Sequence, residues 1–336
     1  MTIVDVAKHA GVSIATVSRV LNQPYTVAPE TAQRVRAAIA HLSYRPRAAA
    51  RGLASGRSYA IGLITDTIAV PFFAPLLQGI EDTARQHNFN LLIHCARGGL
   101  ETDAGFDRPL GPHNTDGLLV FAGALCAAEL EYLCAHDFPL VLLYQTPPNS
   151  LPIPCVLIEN RESARQLVEH LIVVHGHRRI AFLKGPETQE DSYQRELGYR
   201  EALARHSITI DETLVAIVGH RGSGASEAVA RWLRQGQQID AIFAWDDDTA
   251  LEVIRALQLA GRRVPEDIAV VGFDDIHLAY YAAPPLTTVR TPVEQVGREA
   301  VRQLVQRIIT GQAAPVTVLP TELVIRRSCG CNHERG

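Results

Sequence analysis

The chain has 336 residues, 47% of them hydrophobic and 20% charged, with a formal net charge of -4 at pH 7. This composition supports a sizeable core and excludes a disordered chain, and no apolar run reaches the roughly 18–20 residues that span a bilayer. The charge is unevenly spread: residues 1–58 carry eight basic side chains against two acidic ones, a balance of +6, which leaves -10 for the rest. A basic head on an acidic body points to a phosphate-bearing partner.

The N-terminus, MTIVDVAKHAGVS, lacks the apolar stretch and small-residue cleavage site of an export signal, so a cytoplasmic location is expected. Residues 2–22 read as two short helices joined by a tight turn. Gly11 supplies the left-handed backbone after the first helix, and Ser13 fits the N-cap of the second. That second helix, Ile14 to Leu21, turns Val17, Val20 and Leu21 inward. Ile14, Ala15, Thr16, Ser18, Arg19 and Asn22 are left largely outward. A third helix, Pro29 to Leu42, carries the stripe Ala32, Val35, Ala38, Ile39 and Leu42. Helix, turn with glycine, short second helix is the helix-turn-helix pattern, whose second helix enters the DNA major groove.

From Ser58 the pattern changes to short apolar runs alternating with helices. Strands are expected at 59–64, 90–94, 117–121, 139–144, 179–183, 241–244 and 268–273, with an amphipathic helix over 73–88. Continuous apolar runs indicate parallel sheets buried on both faces, and two sets of them indicate two doubly wound subdomains. Ligands of such sheets bind beyond the carboxyl ends of the strands. Asp66, Phe72, Phe73, Tyr144, the run Asp246-Asp247-Asp248 and the pair Asp274-Asp275 fall there. The segment 97–115 is rich in glycine and proline and is expected to be short or irregular.

The run DVAKHAGVSIATVSRVLN, followed by VAPETAQRVRAAIAHLSYRPRAAARGLASGRSYAIGL, resembles the head of the LacI/GalR repressor family, and the resemblance extends to about residue 327. It implies a small all-α helix-turn-helix DNA-binding domain (1–46) and a hinge helix and linker (47–58). An α/β periplasmic-binding-protein-like core follows over 59–330. Its N-subdomain would take 59–158 and 289–320, and its C-subdomain 159–288 and 321–330. Carried over residue by residue, Ile14 and Ala15 match base-reading positions and Arg19 a contact to bases or backbone. Ser13, Thr16, Ser18 and Asn22 fall at the same interface. Ala50 lies in the hinge helix, and Leu53 matches the leucine wedged into the minor groove, where an inserted apolar side chain kinks the duplex. Arg47 stands where asparagine is usual. In the core, Arg195 and Asp274 match effector-binding residues, Asp246 stands where asparagine is common, and His220 falls where an aromatic often stacks on the ligand. Tyr144 replaces a common aspartate. With Asp66 and Phe73 they make the expected effector site, and arginine beside several aspartates suits a sugar or other polyol.

The expected function is a homodimeric DNA-binding transcriptional regulator, a repressor. Its affinity for double-stranded operator DNA would be set by a small effector, a sugar before a nucleoside or purine. A solute-binding protein is the reading from another class. No enzyme motif is assembled: Gly222-Ser223-Gly224 lacks the strand and histidine of a nucleophile elbow, and Lys184-Gly185-Pro186 is no phosphate loop. No cofactor and no metal are expected. The six cysteines are scattered, and Cys329-Gly330-Cys331 has no ligating partner nearby in sequence.

Overall fold

The computed structural model describes residues 1–22, 24–44, 57–96, 109–187, 189–219, 222–312 and 315–332. The chain divides into two compact units, Met1–Tyr59 and Ala60–Gly336.

The first unit holds helices α1 (Ile3–Ala10), α2 (Ile14–Asn22) and α3 (Pro29–His41). Local chemistry sets each boundary. Thr2 and Asp5 cap α1 reciprocally, the Thr2 N–H donating to Asp5 Oδ2 at 2.7 Å. Gly11 ends the helix in the left-handed region, at φ 65°. The Thr16 N–H then donates to Ser13 Oγ at 3.1 Å, opening α2. Val6, Val17, Val20, Ala32, Val35 and Ala38 meet in a small core. Burying these faces against one another holds helices too short to persist alone.

The second unit is built on two parallel sheets. The larger has strand order β11-β5-β4-β3-β1-β2, from β1 (Ala60–Thr65), β2 (Asn90–Cys95), β3 (Gly117–Phe121), β4 (Leu140–Leu143), β5 (Cys155–Ile158) and β11 (Thr317–Leu319). The smaller has order β7-β6-β8-β9, from β6 (Ile180–Lys184), β7 (Val215–Ile217), β8 (Ala241–Ala244) and β9 (Ala269–Val271). All sheet pairings are parallel except that of β10 (Thr288–Arg290) with β12 (Glu322–Val324), an antiparallel ribbon. Strands β1, β4 and β8 are buried along their whole length, which explains their unbroken apolar sequences.

Helices α4 (Phe73–Gln86), α5 (Ala127–Ala135) and α11 (Val293–Thr310) serve the larger sheet. Helices α6 (Asn160–His175), α7 (Glu190–Arg205), α8 (Ala225–Arg234), α9 (Asp247–Leu259) and the short α10 (His277–Tyr281) serve the smaller one. The chain passes between the two halves after β5, around β10, and again between β11 and β12. A cleft between the carboxyl ends of the two sheets follows from this winding. Backbone contact between α4 and α11 depends on two glycines. A Cβ at Gly79 would lie 2.1 Å from the Glu294 carbonyl oxygen, and one at Gly297 2.6 Å from that of Leu76. No helix among the described residues is long and apolar enough to cross a membrane.

Strands β5, β7, β10, β11 and β12 have no counterpart among the expected elements, because runs of three or four residues are too short to show a clear period. Most of the segment 97–115 lies outside the described residues. Its end, 109–115, is a turn in which Asn114 Oδ1 accepts from the Gly111 N–H at 3.1 Å.

Candidate functional site: an acidic cleft and an exposed helix face

The cleft encloses a cavity of about 330 Å³. One wall is largely apolar: Val70, Phe72 and Phe73 at the entry to α4, with Phe121 at the end of β3. Asp66, one residue beyond β1, adds a carboxylate there. The opposite wall is polar. It takes Gln189, Asp191 and Arg195 from the start of α7, Trp245, Asp246 and Asp248 from the turn after β8, and Asp274 from the turn after β9.

Arg195 is the centre of the polar wall and is almost fully buried. Its Nε donates to Asn160 Oδ1 at 2.8 Å, Nη1 to the Trp245 carbonyl at 2.5 Å, and Nη2 to Asp274 Oδ1 at 3.2 Å. The guanidinium lies 3.8 Å from the centre of the Phe273 ring. Asn160 Nδ2 in turn donates to Asp191 Oδ1 at 2.7 Å, and Asp191 stands 3.9 Å from Arg195. A rigid planar donor therefore holds two carboxylates in fixed positions.

Burial dominates the electrostatics. It pushes Asp274 up to about 7 against the pull of Arg195, and Asp246 and Asp191 add to the rise. It pushes Asp191 up to about 6, again opposed by Arg195. Asp246 is raised by burial although its carboxylate caps α9, accepting the Thr249 N–H at 2.7 Å. Near neutral pH Asp274 is thus divided between an acceptor-only form and one that also donates. A ligand bearing several hydroxyls can match either.

Of the expected effector residues, Asp66, Phe73, Arg195, Asp246 and Asp274 all line the one cavity. His220 lies outside the described residues. Tyr144 needs correction. It directly follows β4, but its ring is buried behind the lining, 5.4 Å from Phe72 and 5.5 Å from Phe121 between ring centres. Its hydroxyl has no hydrogen-bond partner among the described residues. A strand-end position therefore gave the right region but the wrong layer.

The acidic runs also separate. Asp248 lines the cavity, whereas Asp247 turns into the protein, accepting from the Ile276 N–H at 2.9 Å and from Thr288 Oγ1 at 2.6 Å. Asp275 is structural: it takes Arg290 Nε at 2.8 Å and Arg326 Nη2 at 2.6 Å. Asp191, Gln189, Trp245, Phe121 and Asn160 were not anticipated. For Asp191 a signal existed, since it precedes Arg195 by one helical turn and so shares its face. At the cleft rim Glu190 Oε2 accepts from the Thr146 N–H at 2.7 Å and from its hydroxyl at 2.9 Å, strapping one half to the other.

In the first unit, Ser13, Ile14, Ala15 and Arg19 are exposed on one face of α2, with Thr16 and Ser18 half-buried beside them. Asn22 closes the helix, and nothing further is described of its side chain. Arg47, Ala50 and Leu53 lie outside the described residues. Away from the cleft, His170 and His175 stand against Cys329 and Cys331, a grouping that was not anticipated. The two histidines are separated from the two cysteines by more than 150 residues of chain, a pairing that spacing within the sequence cannot reveal.

Comparison with known proteins agrees with this architecture. Residues 2–47 match the model of bacterial regulatory proteins of the lacI family, and residues 168–329 match that of a periplasmic binding protein-like domain. The chain is 36% identical to the HTH-type transcriptional regulator CelR of Thermobifida fusca, over 97% of this chain and 98% of that protein. It is 32% identical to the HTH-type transcriptional repressor PurR of Photobacterium profundum, over the same shares of the two chains. Among solved structures it resembles a transcriptional regulator CelR–cellobiose complex, with a TM-score of 0.72 at 33% identity, covering 98% of this chain and 99% of that one. It also resembles a lac repressor dimer bound to operator and the anti-inducer ONPF, with a TM-score of 0.84 at 28% identity and the same coverage. The chain belongs to the LacI family of bacterial regulatory proteins and is a transcriptional regulator.

Proposed function

We propose that this regulator is a homodimeric repressor that reads a pseudo-palindromic operator through α2 and is controlled by a saccharide bound in the cleft. The observation that carries the effector reading is the pairing of walls across one cavity. Phe72, Phe73 and Phe121 offer flat apolar surface, and Arg195, Asp191, Asp246 and Asp274 offer donors and acceptors opposite. A pyranose has the same two characters, C–H faces and a rim of hydroxyls. The cellobiose complex of CelR, at 33% identity, supports the same ligand class. Binding, not chemistry, is the role of these carboxylates: they are tied to Arg195, Asn160 and the α9 N-terminus.

For the DNA, Arg19 and the exposed side chains of Ser13, Ile14 and Ala15 form the reading face. Ile14 and Ala15 contact thymine methyl groups, and neither can make a bidentate bond to a purine. Leu53 acts as the minor-groove wedge, with Arg47 and Ala50 in the same hinge. A dimer presents two such heads to two half-sites. The edge strand β2, which exposes Leu92 and Ile93, supports self-association, as does the dimeric lac repressor.

A gel-shift titration of the full chain on DNA flanking its gene tests the reading. Affinity should fall steeply with salt as counterions are released. Arg19→Ala should weaken specific binding by about 1–3 kcal/mol, roughly 10- to 100-fold. Absence of binding to every fragment at low salt, or an Arg19→Ala variant equal to the parent, would overturn it.

A further inference from the structure

On the smaller sheet, far along α6 from Asn160, two histidines of the last helical turns meet the C-terminal tail. The ligand-capable atoms of His170, His175, Cys329 and Cys331 all lie within 4.8 Å of one another. His170 Nε2 is 3.6 Å from Cys329 Sγ and 3.7 Å from Cys331 Sγ, and His175 Nε2 is 3.4 Å from Cys331 Sγ. Hydrogen bonding accounts poorly for this convergence, because one imidazole nitrogen offers one proton or one lone pair and here faces two sulfurs at once. A shared central ion accounts for it well. With Zn–S of about 2.3 Å and Zn–N of about 2.0–2.1 Å, a tetrahedron has sulfur–nitrogen edges of about 3.6 Å.

We propose that His170, His175, Cys329 and Cys331 bind a zinc ion that clasps the C-terminal tail to α6. Two thiolates and two imidazoles in a tetrahedron are a zinc donor set. With four protein ligands no position is left for water or substrate, so the site is structural. The surrounding chain is built to present these atoms. Gly330 sits at φ 105°, in the left-handed region, so the tail folds sharply between the two cysteines. A Cβ there would also lie 3.3 Å from the His175 ring. Just before them, Ser328 Oγ donates to the Val270 carbonyl at 2.6 Å and accepts the Thr287 N–H at 2.8 Å. Arg326 holds Asp275 and the Leu286 carbonyl. His177 stacks on His175 with ring centres 5.6 Å apart. Binding releases the two thiol protons to solvent as the thiolates ligate.

The test uses the full chain, reduced and stripped with a chelator, then titrated with zinc or cobalt(II). One equivalent of zinc per chain is expected, with a rise in melting temperature. The cobalt form should show the intense visible bands of a tetrahedral ion and thiolate-to-cobalt charge transfer. Cys331→Ser and His175→Ala, both at half-buried positions, should lose at least about 100-fold in zinc affinity and lose the charge-transfer or tetrahedral signature. Cys134→Ser, remote from the cluster, should keep both. Octahedral cobalt spectra, zinc binding undiminished in Cys331→Ser and His175→Ala, or a Cys329–Cys331 disulfide formed under the reducing conditions instead of a metal complex would each overturn the proposal.

Discussion

Arg195→Ala is expected to destabilise the second unit by about 3–5 kcal/mol at pH 8, the range for removing one partner of a buried ion pair. The magnitude follows from what is left behind. Asp274 and Asp191 lose the cation they face, and Asn160 Oδ1 and the Trp245 carbonyl lose the Arg195 donors. The cavity under Phe273 opens as well. The loss should shrink at pH 5, where both acids can take up protons and no longer need a counter-charge. Urea unfolding at the two pH values measures this, and a loss below about 1 kcal/mol at pH 8, the size for an exposed pair, would contradict the central position given to Arg195. Arg195→Met, which keeps most of the stem, should recover packing but not the pH dependence.

The second large effect concerns Asp274. Its carboxyl sits at about 7 in the folded protein against an ordinary 3.8. A raised folded value means that the folded state holds the proton more tightly, so the contribution to stability is fully present below about 4. It is lost as pH rises through about 7. Asp191, raised to about 6, acts in the same sense. The ceiling for a shift of this size is about 4 kcal/mol, and the attraction of Arg195 for the ionised form is already contained in it. Asp274→Asn removes the titration. The variant should gain stability relative to the parent as pH rises from 5 to 8. His177, lowered by burial, pushes the other way at acid pH in both proteins, so the difference between the two curves is the readout. Parallel curves would show that Asp274 is ionised throughout.

Legibility in the sequence followed the range of the interactions. The helices of the first unit are set by neighbours: Gly11, Ser13 and Pro29 mark their ends, and the stripe of Val17 and Val20 marks the inner face of α2. Strands such as β1 and β8 are legible because burial on both faces demands unbroken apolar runs. Strand β11 is not, since its place beside β5 is fixed by a partner 161 residues away. In the cleft, strand ends pointed to Asp66, Asp246 and Asp274, but nothing local distinguishes Asp248, which lines the cavity, from Asp247, which is buried beside Thr288. Tyr144 was misplaced because a residue's depth behind a lining depends on neighbouring rings, here Phe72 and Phe121. The histidine–cysteine cluster is the extreme case, since α6 and the tail meet only in the folded chain.

We propose that a ligand bound in the cleft changes the affinity of the DNA-reading head for its operator. The direct measurement is the affinity of the full chain for one operator fragment, with and without a saturating saccharide that calorimetry has shown to bind, beginning with cellobiose. A change of about 5- to 150-fold is predicted, corresponding to a coupling of about 1–3 kcal/mol, with no change in Asp274→Ala. A saccharide that saturates the cleft and leaves operator affinity untouched in the parent protein would contradict it.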